Sequence, residues 1–391
     1  MKNSGIRAAA GLVGAVALLV TACSSSESTS DSPTTSSVGG STTSSTAGGP
    51  SSGGPGGGMQ EVTAVNLNTD GASPGGANTA EVVTAATAFL TSLDDSQREV
   101  VEYDFSDNKS RQTWSNFPAT TVARPGIALA DLSDDQRAAL TTLLGTALSE
   151  QGTNQNTDIG KADDYLNSLG GQGADGFGAL NDYFVAVYGE PSPTQPFMVQ
   201  FGGHHLARTL TYNGDNVSQT PQFVGSEPVT FETDGVTVEP VKAESDGMFG
   251  AIAALNDGQL SSAEITSGTF DDLVAGPGAD SGIFPAAEGV EVSTLDTTQK
   301  DAVLAAIKAY VNDLDSAAAD KAMAKYESEL DQTRIGWSNN TGPTEENSYI
   351  RIDGPSVWIE FINTRSQSTP DIHFHSVYRD KTNDYGSTTP S

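Results

Sequence analysis

Four histidines are the only imidazoles in the chain, and they occur as two doublets. One is Gly203-His204-His205-Leu206. The other lies in Asp371-Ile-His-Phe-His-Ser-Val-Tyr-Arg-Asp380, as His373 and His375. On a strand, side chains two apart share a face, so His373 and His375 can offer two imidazoles to one ion. Read as part of the following strand, His204 and His205 point to opposite faces, so one of them joins the site unless a bulge intervenes. Three imidazoles and a carboxylate suit one divalent transition metal: zinc, iron, copper or manganese. Glu360, Asp371 and Glu190 are candidate oxygen ligands.

The same atoms also suggest a metal-free site. Arg208 and Arg379 follow the two doublets closely. With imidazoles that titrate near neutrality they would form a pocket for a carboxylate or another anion. Arg111-Gln-Thr-Trp114-Ser-Asn116 and Arg334-Ile-Gly-Trp337-Ser-Asn339 share the frame R-x-x-W-S-N, and Trp337 beside Arg334 is a candidate cleft wall.

Positioning these groups falls to a body that reads as α+β. Leu93-Asp94-Asp95-Ser96-Gln97, Leu132-Ser133-Asp134-Asp135-Gln136, Leu255-Asn256-Asp257-Gly258-Gln259 and Leu295-Asp296-Thr297-Thr298-Gln299 each place a capping residue three positions before Gln, the pattern of a helix-starting capping box. Asp94 and Ser133 are spaced nearly as Asn256 and Asp296 are, which suggests two copies of a unit of about 160 residues. Each copy runs helices first, then antiparallel strands. Helices are expected over 80–93, 137–148, 161–169, 248–255, 300–314 and 317–330. Strands are expected over 183–188, 197–201, 204–212, 217–224, 348–352, 357–362 and 372–378. The first copy spans 59–235 and the second 236–391.

The N-terminus gives an address. Lys2 and Arg7 precede an apolar run from Ala8 to Val20 that is too short to span a bilayer. Residues 1–22 read as a signal peptide. Val20-Thr21-Ala22-Cys23 resembles a bacterial lipobox, which implies lipidation of Cys23. Cys23 is the only cysteine, so thiolate chemistry and Cys-ligated metals are excluded from the body. Residues 23–58 hold the lipidated Cys and a Ser/Thr/Gly/Pro tether expected to be disordered, with a reach of roughly 30 Å. A net charge of -31 argues against nucleic acid as a partner. The only membrane contact expected is the lipid anchor, on the extracytoplasmic face. Gly171-Gln-Gly173-Ala-Asp-Gly176 follows a helix rather than a strand and reads as a loop, not a dinucleotide site.

An ordered set of motifs resembles a bacterial family catalogued as domain of unknown function 3500. The set is Trp114 with Pro118 and Gly126, Leu132 with Gln136, Tyr183-Phe-Val-Ala-Val-Tyr-Gly-Glu-Pro-Ser192, Phe201-Gly-Gly-His-His-Leu206, Gly354-Pro-Ser-Val-Trp358, His373-Phe-His375 and Tyr378-Arg-Asp380. The resemblance covers about Thr79 to Asp380 and implies no activity or catalytic residue. Two functions fit the residues: a lipid-anchored metal-dependent hydrolase or oxidoreductase, and a non-enzymatic lipoprotein that binds an anionic small molecule or envelope component.

Overall fold

A computed structural model describes residues 77–170, 177–280, 284–366 and 371–387. The signal peptide, Cys23, the tether and the loop Gly171–Gly176 lie outside the described residues. The chain divides into Met1–Gly56 and Gly57–Ser391, and every described residue belongs to the second unit.

The unit is α+β, as the patterning predicts. The main helices are α1 (Thr79–Ser92), α2 (Asp134–Ala147), α3 (Glu150–Leu169), α4 (Lys242–Ala253), α5 (Thr297–Val311) and α6 (Ser316–Glu329). All four expected capping boxes form, at Asp94, Ser133, Asn256 and Asp296. Their glutamines also meet in pairs. Gln136 donates to Gln97 at 2.6 Å, and Gln299 donates to Gln259 at 2.7 Å. The near-equal spacing of the boxes therefore has a physical cause, because in each pair one helix start is docked on the other. Helix α3 begins well before the expected Lys161, because Ser149 caps it by accepting from Gly152 N–H.

Eight strands form the body of one mixed sheet: β1 (Phe184–Tyr188), β2 (Phe197–Gly202), β3 (Leu206–Asn213), β4 (Gln222–Ser226), β5 (Arg334–Asn339), β6 (Ser348–Asp353), β7 (Val357–Arg365) and β8 (Ile372–Asp380). Their order is β1-β2-β3-β4-β8-β7-β6-β5, antiparallel throughout. Among the described residues, the sheet's one parallel ladder joins the short strand Glu102–Tyr103 to β1. The sheet is thus two four-strand meanders joined edge to edge by their last strands, β4 and β8. The division expected after residue 235 falls in the turn of a separate hairpin, Phe231–Thr233 with Val236–Val238.

The two faces of the sheet differ. One packs on the helices through Val185, Leu206, Leu210, Val224, Phe361, Phe374 and Tyr378. The other carries a smaller apolar cluster in which Ala207, Phe223, Trp358 and Val377 meet Trp114 and Ala275 from two covering loops. Alternation along β8 turns Phe374 and Tyr378 to the helices and His373, His375 and Val377 to the loops. The histidines of β8 therefore lie beside the β4–β8 seam, on the loop-covered face.

Candidate metal centre

The two histidine doublets meet at this seam. The His205 ring centroid is 5.7 Å from that of His373 and 5.8 Å from that of His375. His373 Nε2 lies 3.0 Å from His375 Nε2. One nitrogen from each of His205, His373 and His375 lies within 4.8 Å of the others, and all three residues are buried.

The strand expected from His204 begins two residues later, at Leu206. His204 and His205 are instead the two tip residues of the β2–β3 hairpin, where Gly203 N–H donates to Leu206 C=O at 2.8 Å. The expectation that they point to opposite faces is thereby corrected. At a hairpin tip the alternation of a strand lapses, and the two rings lie 3.7 Å apart between centroids. Two glycines make room. A Cβ on Gly203 would sit 2.5 Å from the Tyr183 ring. A Cβ on Gly225, which pairs with His375 across the seam, would sit 2.8 Å from His205 Cδ2 and 2.7 Å from Phe374 O.

Carboxylates orient two of the rings. His205 Nδ1 lies 3.2 Å from Asp163 Oδ1, and His375 Nδ1 lies 3.0 Å from Asp272 Oδ1. An ionised carboxylate only accepts, so each Nδ1 carries a proton, and in the neutral ring the lone pair is on Nε2. His205 Nε2 is buried and makes no hydrogen bond. His373 has Thr364 Oγ1 within 3.1 Å of Nδ1 and 2.9 Å of Nε2.

The electrostatics favour the neutral form of His373 and His204 and the charged form of the two acids. Burial, reinforced by His375, His205 and His204, holds the His373 pKa far below the ordinary imidazole range. Burial and then His205 push His204 down to about 4, against the pull of Asp163. Burial raises the Asp163 carboxyl, but the adjoining imidazoles of His204 and His205 outweigh it and hold it below the usual range. Asp272 is lowered in the same way, by His375 against burial.

Asp163 and Asp272 were absent from the sequence-based candidates. Asp163 had a signal: it sits on the apolar face of α3 with Ile159, Ala162 and Leu166, all buried. Asp272 had none, since it lies in a loop. Glu360, expected as a ligand, fixes that loop instead. Its carboxylate accepts from Val274 N–H, Ala275 N–H and Trp358 Nε1–H at 2.7 Å each and from Tyr349 OH at 2.8 Å. Burial raises its pKa against these donors. Asp371 and Glu190 are exposed, and neither belongs to the metal-capable groups among the described residues.

The arginines are engaged elsewhere. Arg208 points to the helices and donates to Asp313 at 2.7 Å, Asn156 at 2.8 Å and Gln155 at 2.6 Å. Arg379 donates to Asp384 at 2.7 Å, to Ala279 C=O at 2.7 Å and to Asp280. Every guanidinium nitrogen of both already has a protein acceptor. Trp337 lies on the helix side of the sheet, on a strand three removed from β8, about 14 Å away. Its indole donates to Leu260 C=O at 2.8 Å. The first R-x-x-W-S-N frame is the one at the site. Asn116 hydrogen-bonds Asp272, and Trp114 packs near Phe223, whose ring edge meets His375. The two frames fold differently, one as a short helix and loop, the other as β5.

The model of a family described as "Protein of unknown function (DUF3500)" matches residues 75–387. The chain belongs to the DUF3500 family. The matched span takes in the four histidines of this chain's cluster and the carboxylates Asp163 and Asp272. No curated protein and no solved structure matches the chain.

Proposed function

We propose that this protein is a metal-dependent enzyme in which His205, His373 and His375 hold one divalent transition-metal ion that activates water. The supporting observation is the buried Nε2 of His205, which makes no hydrogen bond and belongs to a buried three-imidazole group. Two nitrogens bound at 2.0–2.1 Å in a tetrahedron stand about 3.3 Å apart, close to the 3.0 Å between His373 and His375 Nε2. The carboxylate–histidine pairs of Asp163 and Asp272 are the usual outer partners of such ligands. A set of three imidazoles would leave most of the charge of the ion to act on a bound water and lower its pKa toward neutrality. That favours hydrolysis over redox chemistry. The binding of anions by Arg208 and Arg379 is the weaker reading, because their guanidinium nitrogens are already engaged.

The site is tested by loading the metal-free chain with zinc and assaying chromogenic carboxylic and phosphoric esters. Turnover that disappears in His375→Ala supports the reading. Turnover that is independent of zinc and of His375 contradicts it.

We also propose that the protein is a lipoprotein of the extracytoplasmic face, on the strength of Lys2, Arg7, the Ala8–Val20 run and the lipobox-like Val20-Thr21-Ala22-Cys23. Among the described residues no helix is long and apolar enough to cross a membrane. Mass spectrometry of the mature N-terminus tests this reading, which requires diacylglycerol on Cys23. The body we read as two copies of one unit. Matched capping boxes, paired glutamines and matched meanders favour that reading.

A further inference from the structure

The ion proposed above uses only one nitrogen of His205. The other faces a second set of donors. Asp163 Oδ1 lies 3.2 Å from His205 Nδ1 and 3.5 Å from His204 Nδ1. Donor atoms of these three residues also lie within 4.8 Å of one another, and all three residues are buried. Two donors on one tetrahedral ion stand about 3.3 Å apart. Both spacings therefore suit an ion set between the groups.

The second spacing does not correspond to a hydrogen bond. His204 Nδ1 is buried and makes none, although a carboxylate oxygen is its neighbour. A buried lone pair facing a buried anion is unfavourable unless a cation lies between them. The surrounding groups keep this arrangement in place. Phe177 stacks on the His204 ring at 4.4 Å, and Tyr183 OH donates to Asp163 Oδ2 at 2.7 Å, leaving Oδ1 for the imidazoles. Gly203 lets the Tyr183 ring approach this closely.

We propose that Asp163, His204 and His205 hold a second transition-metal ion, and that His205 bridges the two ions through its two ring nitrogens. This inference rests on the three-histidine reading above. Binding of the second ion displaces the proton between His205 Nδ1 and Asp163. The proton leaves to solvent, the His205 ring becomes an imidazolate, and nothing is oxidised or reduced. Asp163, Asp272 and the imidazolate offset most of the charge of two dications. Ions on opposite nitrogens of one ring stand about 6 Å apart at ordinary metal–nitrogen distances. That exceeds the roughly 3.5–4 Å of ions that clamp one substrate together. The chemistry therefore stays at the first ion, and the second fixes the bridging ring.

The test is copper(II) titration of the full, untagged, metal-free chain in a weakly chelating buffer, read by elemental analysis and electron paramagnetic resonance. The expected result is two ions per chain, with the ordinary copper signal of the first equivalent suppressed as the second couples to it through the ring. His204→Ala, its fold checked by thermal melting, is expected to bind one ion with an uncoupled signal. A wild-type chain that saturates at one ion, or two ions with uncoupled signals, overturns the proposal without needing any variant. If one ion binds, is lost in His373→Ala/His375→Ala and is unaffected by His204→Ala, the three-histidine reading stands and only the second ion falls. If no ion binds, both fall.

Discussion

His205 and His375 come from different meanders of the sheet, yet their ring centroids lie 5.8 Å apart across the β4–β8 seam. Each donates a hydrogen bond from Nδ1–H to a separate carboxylate, Asp163 from helix α3 and Asp272 from a covering loop. The centre therefore depends on the joining of the two meanders, and neither meander contains it alone.

Asp272 orients His375 from outside the ligand set. Its side chain is 49% exposed, so Asp272→Asn leaves the fold intact. Loss of the charged acceptor is expected to weaken metal binding about 10–100-fold. Competition against a chromophoric chelator measures this. An unchanged affinity would mean that the Asp272–His375 pair has no part in binding.

Gly225 leaves the space in which His205 meets the seam. Gly225→Ala places a methyl group against Phe374 O and His205 Cδ2, with backbone on one side. The expected cost is about 1–3 kcal/mol of stability, with weakened metal binding. Urea denaturation with and without zinc separates the two effects. Unaltered stability would show that the seam yields more easily than the contacts imply.

How much of this was legible in the sequence depended on range. The capping boxes are local, so Asp94, Ser133, Asn256 and Asp296 could be read directly, and all four form. The shared face of His373 and His375 follows from strand alternation and was equally legible. The hairpin at His204 and His205 was misread as strand, although the preceding Gly202-Gly203 is a turn signal. Asp163 could have been found as a carboxylate on an apolar helix face. Asp272 could not, because its position is set by Glu360 holding the loop from a distant strand.

Arg208 and Asp313 form a fully buried ion pair at 2.7 Å that ties β3 to the segment after α5. Arg208→Ala leaves Asp313 buried without its cation and is expected to cost about 3–5 kcal/mol. The metal affinity of the folded fraction should be unchanged. A variant of normal stability that loses ligand binding would instead restore the anion-pocket reading of Arg208.

Glu244 carries a pH dependence. Burial, aided by Asp313, pushes its carboxyl up to about 8. The unfolded chain loses this proton near pH 4.3, about the ordinary glutamate value. Between these two values the folded protein holds the proton and the unfolded chain does not, so stability falls as pH rises through the window and levels off above it. Glu244→Gln keeps an acceptor for Gln155 Nε2, which donates to Glu244 at 2.5 Å. It is expected to remove this slope, so that the variant gains stability on the wild type as pH rises from 5 to 8. Urea melts of both proteins at pH 5 and pH 8 check this, and parallel pH profiles would contradict it.

The most direct measurement is the metal content of the full chain, purified without a histidine tag and dialysed, beside the His373→Ala/His375→Ala variant. At least one stoichiometric transition-metal ion should be retained by the wild type and lost by a variant that still unfolds cooperatively. A folded wild type that retains no ion after zinc loading, or a variant that retains as much as the wild type, would contradict the proposed centre.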